Sequence, residues 1–397
     1  MEKECRGTVY ACFTGYIVQA LINSFVPLLF VTLSNQYRIS LTQITLMITV
    51  NFTVQLTVDM LSALFMDRIG YRICAVAAHV FVAVGMVLLT ILPDLLPDPL
   101  IGLLIPVMVY AVGGGLLEVL VSPLVEACPT KNKESMMSLL HSFFCWGCIG
   151  VVLISTLFFV TIGISHWKIL TLLWALLPVG NAIAFSRVPI YKLVEDGQKG
   201  LSLKELFRSK LFWILMLLMF CAGACEQCVS QWASTFAEKG LNVSKTVGDL
   251  AGPLCFSIFM GLSRVFYSKY GEKIPLEKFI MGSGVLCIFS YLMISCTPWP
   301  VVGLLGCSVC GLSVGILWPG IFSIGSAAIR NGGTAMFALF ALAGDLGCGG
   351  GPTVVGAVSG YFQDNLKTGI LVSILFPVTF VLGCLIYGRM RKNKFMY

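Results

Sequence analysis

Long apolar stretches separated by short polar segments make up most of the chain. A membrane-spanning helix needs about 20 mostly apolar residues. Within each stretch, polar and apolar positions do not alternate, which excludes the strands of a membrane barrel. The pattern predicts twelve transmembrane helices, here called spans 1 to 12, at about residues 8–33, 43–66, 72–92, 100–127, 134–162, 166–186, 210–237, 246–268, 276–296, 299–329, 332–362 and 366–388.

The longest polar stretch lies between spans 6 and 7. It contains Pro189, Gly197 and many charged residues. Breakers and charges of this kind are typical of a boundary between compact units. We therefore predict one six-helix bundle at residues 1–190, a cytoplasmic linker at 191–209 and a second six-helix bundle at 210–397.

The two predicted bundles share a sequence pattern. A glycine followed by two amide residues at four-residue spacing occurs in spans 1 and 7: Gly15, Gln19 and Asn23, and Gly223, Gln227 and Gln231. Such a shared pattern fits two parallel repeats, each built from inverted three-helix units. The predicted fold class is an all-α integral membrane protein with twelve helices in two pseudo-symmetric halves.

Composition supports this class. Hydrophobic residues make up 57% of the 397 residues and charged residues only 11%, against about 25% charged in a soluble domain. This excludes a soluble enzyme, a nucleic-acid-binding protein and a disordered scaffold. The 16 Cys lie mainly in apolar runs, where cysteine behaves as a small hydrophobic residue. We expect no metal site, no cofactor and no nucleic-acid partner.

The basic residues indicate an orientation. With the N-terminus inside, 21 of the 26 Lys and Arg residues fall in cytoplasmic segments, as the positive-inside rule requires. An even number of spans then places both termini in the cytoplasm. We expect a multi-pass protein of the cytoplasmic (plasma) membrane that works as a monomer within the lipid bilayer.

The loop between spans 2 and 3 reads A-L-F-M-D-R-I-G-Y-R. It resembles the signature loop of the major facilitator superfamily, G-x-x-x-D-R-x-G-R-R/K, at Asp67, Arg68, Gly70 and Arg72, with Ala63 at the first glycine. Glycine permits a tight turn, and a carboxylate can cap a neighbouring helix or pair with an arginine. The resemblance implies a gating role for Asp67, Arg68 and Arg72. A polar turn with topogenic charges is the simpler alternative.

Span 4 carries a narrower resemblance. Its segment from Gly113 through Glu118 to Ser122 and Pro123 is similar to the G-x-G-x-x-E-x-x-x-N-P run of the fucose/glucose-galactose type of sugar–proton symporters. Ser122 stands where that family usually has Asn. Segments of spans 5, 7 and 10 are also similar to that family. The family's carboxylate in span 1 is absent from this chain.

Three ionisable residues within spans are candidates for proton coupling: Glu118, Glu226 and His141. A charged residue at the bilayer centre costs about 2.5–3.5 kcal/mol on insertion scales. Low dielectric favours the neutral form of a carboxyl group, and histidine titrates near pH 6.5, so both suit a proton carrier. The alternatives are a permanently protonated acid, polar contacts between helices and a structural hydrogen-bond donor.

Polar and indole side chains are candidates for substrate binding. Amides and carboxyl groups suit polyhydroxylated ligands because each sugar hydroxyl both donates and accepts hydrogen bonds. Spans 1, 4, 7 and 10 line the cavity in the superfamily that the chain resembles. The candidates are Gln19, Asn23, Ser122, Gln227, Gln231, Trp232 and Trp318. Packing between helices is the alternative for each of them.

Two further acids are candidates for gating. Asp59 in span 2 follows Asn51 and Gln55 at helical spacing, which makes a polar stripe. Asp345 lies in span 11, where it could pair across the interface between the halves. A purely structural role is the alternative for both acids.

Together these features predict a secondary active transporter that moves a small polar solute by proton-coupled alternating access, with a sugar as the favoured substrate. A proton-coupled drug efflux antiporter is the alternative. The glycine run of span 5 lacks the proline that such antiporters often carry. A channel has no filter-like repeat to support it. Three isolated His residues give no catalytic constellation, so we expect no enzyme.

Overall fold

The computed structural model describes residues 5–129, 133–190, 201, 203–270, 274–329 and 333–394. Within these residues the chain forms helices and turns, and no β-strand. Contacts divide it into two compact units, unit 1 (Met1–Asp196) and unit 2 (Gly197–Tyr397). Residues 191–200 and 202 of the predicted linker lie outside the described residues.

Unit 1 contains six long helices. Spans 1 to 6 each form one of them: α1 (Cys5–Tyr37), α2 (Leu41–Ile69), α3 (Tyr71–Leu95), α4 (Pro99–Ala127), α5 (Lys133–Thr161) and α6 (Trp167–Arg187). The helix starts follow local sequence. Ser40 and Gln43 form a capping box at α2, and Asp98 caps α4 with Pro99 in its first turn.

The spans of unit 2 are divided into more helical segments than those of unit 1. Span 7 comprises α8 (Lys210–Ser230) and α9 (Ala233–Thr235) and ends in the first residues of a π-helical turn (Phe236–Gly240). Span 8 comprises α10 (Lys245–Asp249), a second π-helical turn (Leu250–Leu254) and α11 (Cys255–Tyr270). The short α7 (Leu203–Arg208) precedes α8. The remaining helices are α12 (Leu276–Cys296), α13 (Pro300–Val314), α14 (Leu317–Ala328), α15 (Gly333–Tyr361), α16 (Leu366–Val372) and α17 (Leu375–Lys394).

Eleven helical segments among the described residues are long and apolar enough to cross a membrane. Helix α15, with 29 residues, is not among these eleven. Large apolar side chains such as Leu157, Leu176 and Val265 are more than half exposed, at 61%, 63% and 61%. Side chains of this kind suit contact with lipid tails rather than water. The prediction of an all-α, multi-pass membrane protein is confirmed.

Glycines allow two helices of unit 2 to touch at the backbone. A Cβ atom at Gly347 of α15 would lie 1.9 Å from the carbonyl oxygen of Phe220 in α8. One at Gly223 of α8 would lie 2.1 Å from the carbonyl oxygen of Gly344. Small residues at helix contacts are the usual means of close packing in membranes, so α8 and α15 form a tightly joined pair.

The loop between α2 and α3 is a tight turn around Gly70, whose φ of 96° suits glycine alone. Arg72, just beyond it, donates hydrogen bonds to the carbonyl oxygens of Phe185 (3.1 Å), Ser186 (2.6 Å) and Val188 (2.8 Å) at the end of α6. A cation at a helix C-terminus is favourable. Arg72 therefore ties α3 to α6 within unit 1.

The signature-loop residues Asp67 and Arg68 have side chains outside the described residues. Their gating role stays a prediction.

We expect Arg72→Ala to destabilise the protein by about 1.5–3 kcal/mol, since hydrogen bonds from a charged donor are lost. Thermal unfolding in detergent measures this as a lower Tm. Arg6→Ala, at an exposed position of α1, is the matched control and should leave the Tm unchanged. Equal Tm values for the two variants would contradict the assigned role of Arg72.

Candidate functional site

Gln19 joins three helices of unit 1. Its Nε2 donates to Oε1 of Gln55 at 2.9 Å and to Oε2 of Glu118 at 3.3 Å. Gln19 comes from α1, Gln55 from α2 and Glu118 from α4. Gln19 and Gln55 are buried, with 4% and 3% of their surface exposed. The structure thus places the predicted proton carrier Glu118 in hydrogen-bonding contact with Gln19, a predicted substrate-binding residue.

The same network continues along α1 and α2. Nε2 of Gln55 donates to Oδ1 of Asn51 at 3.0 Å and to Oδ1 of Asn23 at 3.3 Å. Asn51 also reaches Asn23, at 3.5 Å. We call these five side chains, from Gln19, Asn23, Asn51, Gln55 and Glu118, the amide network.

One acceptor in the amide network has no partner. Oε1 of Gln19 is buried and accepts no hydrogen bond from any of the described residues. A buried carbonyl oxygen without a partner is uncommon and costly. It is therefore available to a donor group supplied by a ligand or a water molecule.

Successive glycines of α4 make room for the amide network. A Cβ at Gly114 would lie 3.0 Å from Oε1 of Gln55, and one at Gly115 would lie 3.0 Å from an oxygen of Asp59. Any larger side chain would push these polar groups away. The glycine run that precedes Glu118 thus lets α2 approach α4 where the polar groups are concentrated.

Asp59 lies beside Glu118. The two side chains have carboxylate oxygens within 4.8 Å of one another. Asp59 was predicted as a gating residue, and the structure places it at the candidate proton site instead, although this does not test gating. Two carboxyl groups this close in a low-dielectric environment favour a state in which they share one proton. Oxygen ligands of this kind also suit a hard cation.

A second polar group of unit 1 connects α1, α4 and α5. The Tyr16 hydroxyl lies 3.1 Å from Oγ of Ser122 and 3.3 Å from Nδ1 of His141. Ser122 and His141 were predicted site residues, whereas Tyr16 was not. Its position three residues before Gln19 on a buried helix was the available signal.

In unit 2, three predicted residues form one buried stripe at the end of α8. Nε2 of Gln227 donates to Oε1 of Glu226 at 3.3 Å, and Nε2 of Gln231 donates to Oε1 of Gln227 at 3.1 Å. Their exposed fractions are 7%, 6% and 4% for Glu226, Gln227 and Gln231. The amides thus hold one another and the carboxyl group in place.

Sequence reasoning missed Arg264, which lies within α11. It is close enough to Glu226 for charge attraction, and its Nε donates to the carbonyl oxygen of Gly315 at 3.1 Å. Pro319 has no N–H, so it cannot bond to the carbonyl four residues earlier, and span 10 breaks between α13 and α14. Arg264 therefore satisfies a carbonyl that Pro319 frees. Broken helices of this kind often line binding sites in transporters.

The remaining predicted residues lie elsewhere in unit 2. Trp232 is fully buried, and its Nε1 donates to the carbonyl oxygen of Pro352 at 3.0 Å, a geometry that favours the packing alternative. Trp318 is half-buried, with its ring against the backbone of Gly344. Asp345 is half-buried within α15. The gating role of Asp345 stays a prediction.

A charged cluster at the ends of spans 7 and 8 was also missed. Lys245 pairs with Asp249 at 3.1 Å and with Glu238 at 3.3 Å. Ser234 donates to Asp249 at 2.5 Å. The spacing of four residues between Lys245 and Asp249 was the available signal. Burial raises the pKa of Glu238, with Lys245 opposing this and Asp249 adding to it.

The chain matches the family model described as Major Facilitator Superfamily over residues 12–352. No curated protein matches it in sequence. The signature-loop resemblance found in the sequence and the family-model match indicate the same superfamily. The prediction of twelve helices in two halves, the architecture of that superfamily, is confirmed.

Several solved structures share the fold. A bacterial homologue of the human lysosomal transporter Spinster is 13% identical, with 98% of each chain covered and a TM-score of 0.78. The E. coli fucose:proton symporter is 15% identical, over 97% of this chain and 99% of that one, with a TM-score of 0.65. A D-xylose–proton symporter is 14% identical over 96% and 95%, with a TM-score of 0.74.

We expect Glu238→Gln to change how stability depends on pH. A raised pKa in the folded state means that this state binds the proton more tightly than the unfolded chain does. The contribution of Glu238 is therefore most favourable below its ordinary pKa of 4.5 and falls as pH rises through the folded pKa. Each pKa unit corresponds to about 1.4 kcal/mol.

The check is the free energy of unfolding in detergent between pH 4.5 and 7.5. The advantage of the wild type over Glu238→Gln should decline with rising pH. Glu205→Gln, at an exposed position of α7, is the control. A constant difference between wild type and Glu238→Gln across this range would refute the prediction.

Proposed function

Because the chain belongs to the major facilitator superfamily, whose members are transporters rather than enzymes, we propose that it is a proton-driven secondary transporter for a small polar solute. A sugar is the favoured substrate. The observation that carries the proposal is the amide network, in which four amide side chains meet Glu118 on three helices.

The amide network has the chemistry of a site for hydroxyl groups. A sugar hydroxyl donates and accepts at the same atom, and an amide offers both an N–H and a carbonyl oxygen. Oε1 of Gln19 is a buried hydrogen-bond acceptor to which none of the described residues donates. A hydroxyl donating to it would satisfy the group and gain about 0.5–1.5 kcal/mol. An apolar drug would leave it unsatisfied.

Glu118 and Asp59 supply the proton site of the proposal. With one shared proton, the pair carries a single negative charge, and a second proton makes it neutral. Reorienting an uncompensated charge within the membrane is costly. Protonation would therefore favour reorientation, and the hydrogen bond between Gln19 and Glu118 would link solute binding to the protonation state of the carboxyl group.

Unit 2 supplies a second polar group. Glu226 and Arg264 carry opposite charges, and Gln227 and Gln231 extend the stripe by two amides. We assign the amides to solute binding and Glu226 to proton coupling. Trp318 is a candidate stacking surface for the solute. For Trp232, whose indole N–H bonds to the carbonyl oxygen of Pro352, we favour packing between helices, and its role in substrate binding stays a prediction.

The solved structures of similar fold support the proposal without deciding it. Two are described as sugar–proton symporters, for fucose and for D-xylose. The Spinster homologue is described only as a relative of a lysosomal transporter. Proton-coupled efflux of drugs is the competing function. The density of buried amides favours a hydroxylated solute over an amphiphilic drug.

The organisation of the chain completes the proposal. We propose a monomer in the plasma membrane with both termini in the cytoplasm, as the distribution of basic residues indicates. The halves are residues 1–190 and 210–397, joined by the linker 191–209. Asp67, Arg68, Arg72 and Asp345 are the proposed gating residues, and a gating role of Asp59 also stays a prediction.

Proton uptake into proteoliposomes tests the function. Neutral sugars, added to vesicles that hold a pH-sensitive dye, should acidify the lumen. Glu118→Gln should lower this proton flux at least tenfold, because the amide cannot bind the proton, while sugar counterflow between two filled compartments continues. Asp94→Asn, at an exposed acid, is the control. Proton movement driven by drugs and not by any sugar would contradict the uptake function.

A binding measurement tests the amide network. Gln19→Leu removes the hydrogen bonds to Gln55 and Glu118 together with the free acceptor, so we expect the sugar Kd to rise about 10- to 100-fold, equivalent to one or two lost hydrogen bonds to charged or buried groups. Thr14→Val, on the same helix, should leave Kd unchanged. Similar Kd values for both variants would show that the solute binds elsewhere.

A further inference from the structure

We propose that Tyr16 and Ser122 form a proton path between His141 and Glu118. This inference rests on the proposed proton coupling and adds the route by which the proton reaches its acceptor. None of the predictions from sequence gave Tyr16 a role.

The path is defined by two side-chain contacts and one helical turn. His141 Nδ1 lies 3.3 Å from the Tyr16 hydroxyl, which lies 3.1 Å from Oγ of Ser122. Ser122 is four residues after Glu118 on α4, so the two share a face about 6 Å apart along the helix axis. The proposed path crosses this last gap by a rotamer change of Glu118 or through one bridging water molecule.

The first two residues of the path differ in exposure. His141 is exposed, whereas Tyr16 is buried, with 9% of its surface exposed. Histidine exchanges protons near neutral pH, and a hydroxyl group can accept one proton while it donates another. The order of residues therefore runs from an exposed titratable group, through two hydroxyl groups, to a carboxyl group.

Helix packing holds the path in place independently of its hydroxyl groups. The Phe13 and Phe143 rings stack with their centroids 4.2 Å apart and an interplanar angle of 11°. Gly147 of α5 lets the same two helices approach, since a Cβ there would lie 2.7 Å from Cβ of Ala20. Removing the Tyr16 hydroxyl should therefore leave the contact between α1 and α5 intact.

The transfer conserves protons. A solvent proton binds Nε2 of His141, and Nδ1 releases its own proton to the Tyr16 oxygen. The Tyr16 hydroxyl proton passes to Ser122, whose hydroxyl proton passes to the Glu118 carboxylate. The net change is one proton taken from solvent and one carboxylate neutralised. Asp59, beside Glu118, is the other titratable group that faces the end of this path among the described residues of unit 1.

Tyr16→Phe is the decisive variant because it removes one oxygen atom and keeps the ring. We expect sugar-driven proton uptake to fall at least tenfold, while sugar counterflow, which needs no net proton movement, stays within about twofold of wild type. Tyr10→Phe, at an exposed tyrosine of the same helix (59% exposed), should behave as wild type. His141→Gln should reproduce the split between proton uptake and counterflow.

Three outcomes would overturn the path. Wild-type proton uptake in Tyr16→Phe, with uptake lost in Glu118→Gln, would refute the path and leave the proposed function standing. Loss of proton uptake and counterflow together, with an unchanged Tm, would make Tyr16 a solute ligand. No sugar-dependent proton uptake by the wild-type protein would refute the proposed function and the path with it.

Discussion

Polar groups inside a membrane must find partners within the protein, and this constraint organises the structure. The amides of the amide network are tied to one another: Gln19 to Gln55, and Gln55 to Asn51 and Asn23. In unit 2, Arg264 satisfies a carbonyl that Pro319 frees. With no water in the hydrocarbon region, each unmet group costs several kcal/mol. The free acceptor on Gln19 therefore indicates where a ligand belongs.

Close helix packing makes these polar contacts possible. Gly114 and Gly115 bring α4 against α2 exactly where Gln55 and Asp59 lie, and Gly223 and Gly347 join α8 to α15 in the same way. Glycine thus allows backbone contacts that bring carboxyl and amide groups of neighbouring helices close together.

The architecture could be predicted from sequence because a span needs only length and apolar composition, and all twelve predicted spans correspond to helices in the described residues. The site was predicted in part. Gln19, Glu118 and the polar stripe on α2 were recognised as separate features, but their meeting depends on helix packing that hydropathy does not encode. Arg264 was missed as a site residue for the same reason. Helix breaks within spans 7 and 8 also escaped prediction, since π-helical turns have no strong local sequence signal.

The central claim is that Glu118 exchanges a proton in response to the solute. Infrared difference spectroscopy of the reconstituted protein, recorded on addition of a sugar that binds, measures this directly. We predict a sugar-sensitive band of a protonated carboxyl group in the wild type that disappears in Glu118→Gln. A sugar-induced spectrum with no carboxyl band, or with one that persists in Glu118→Gln, would contradict it.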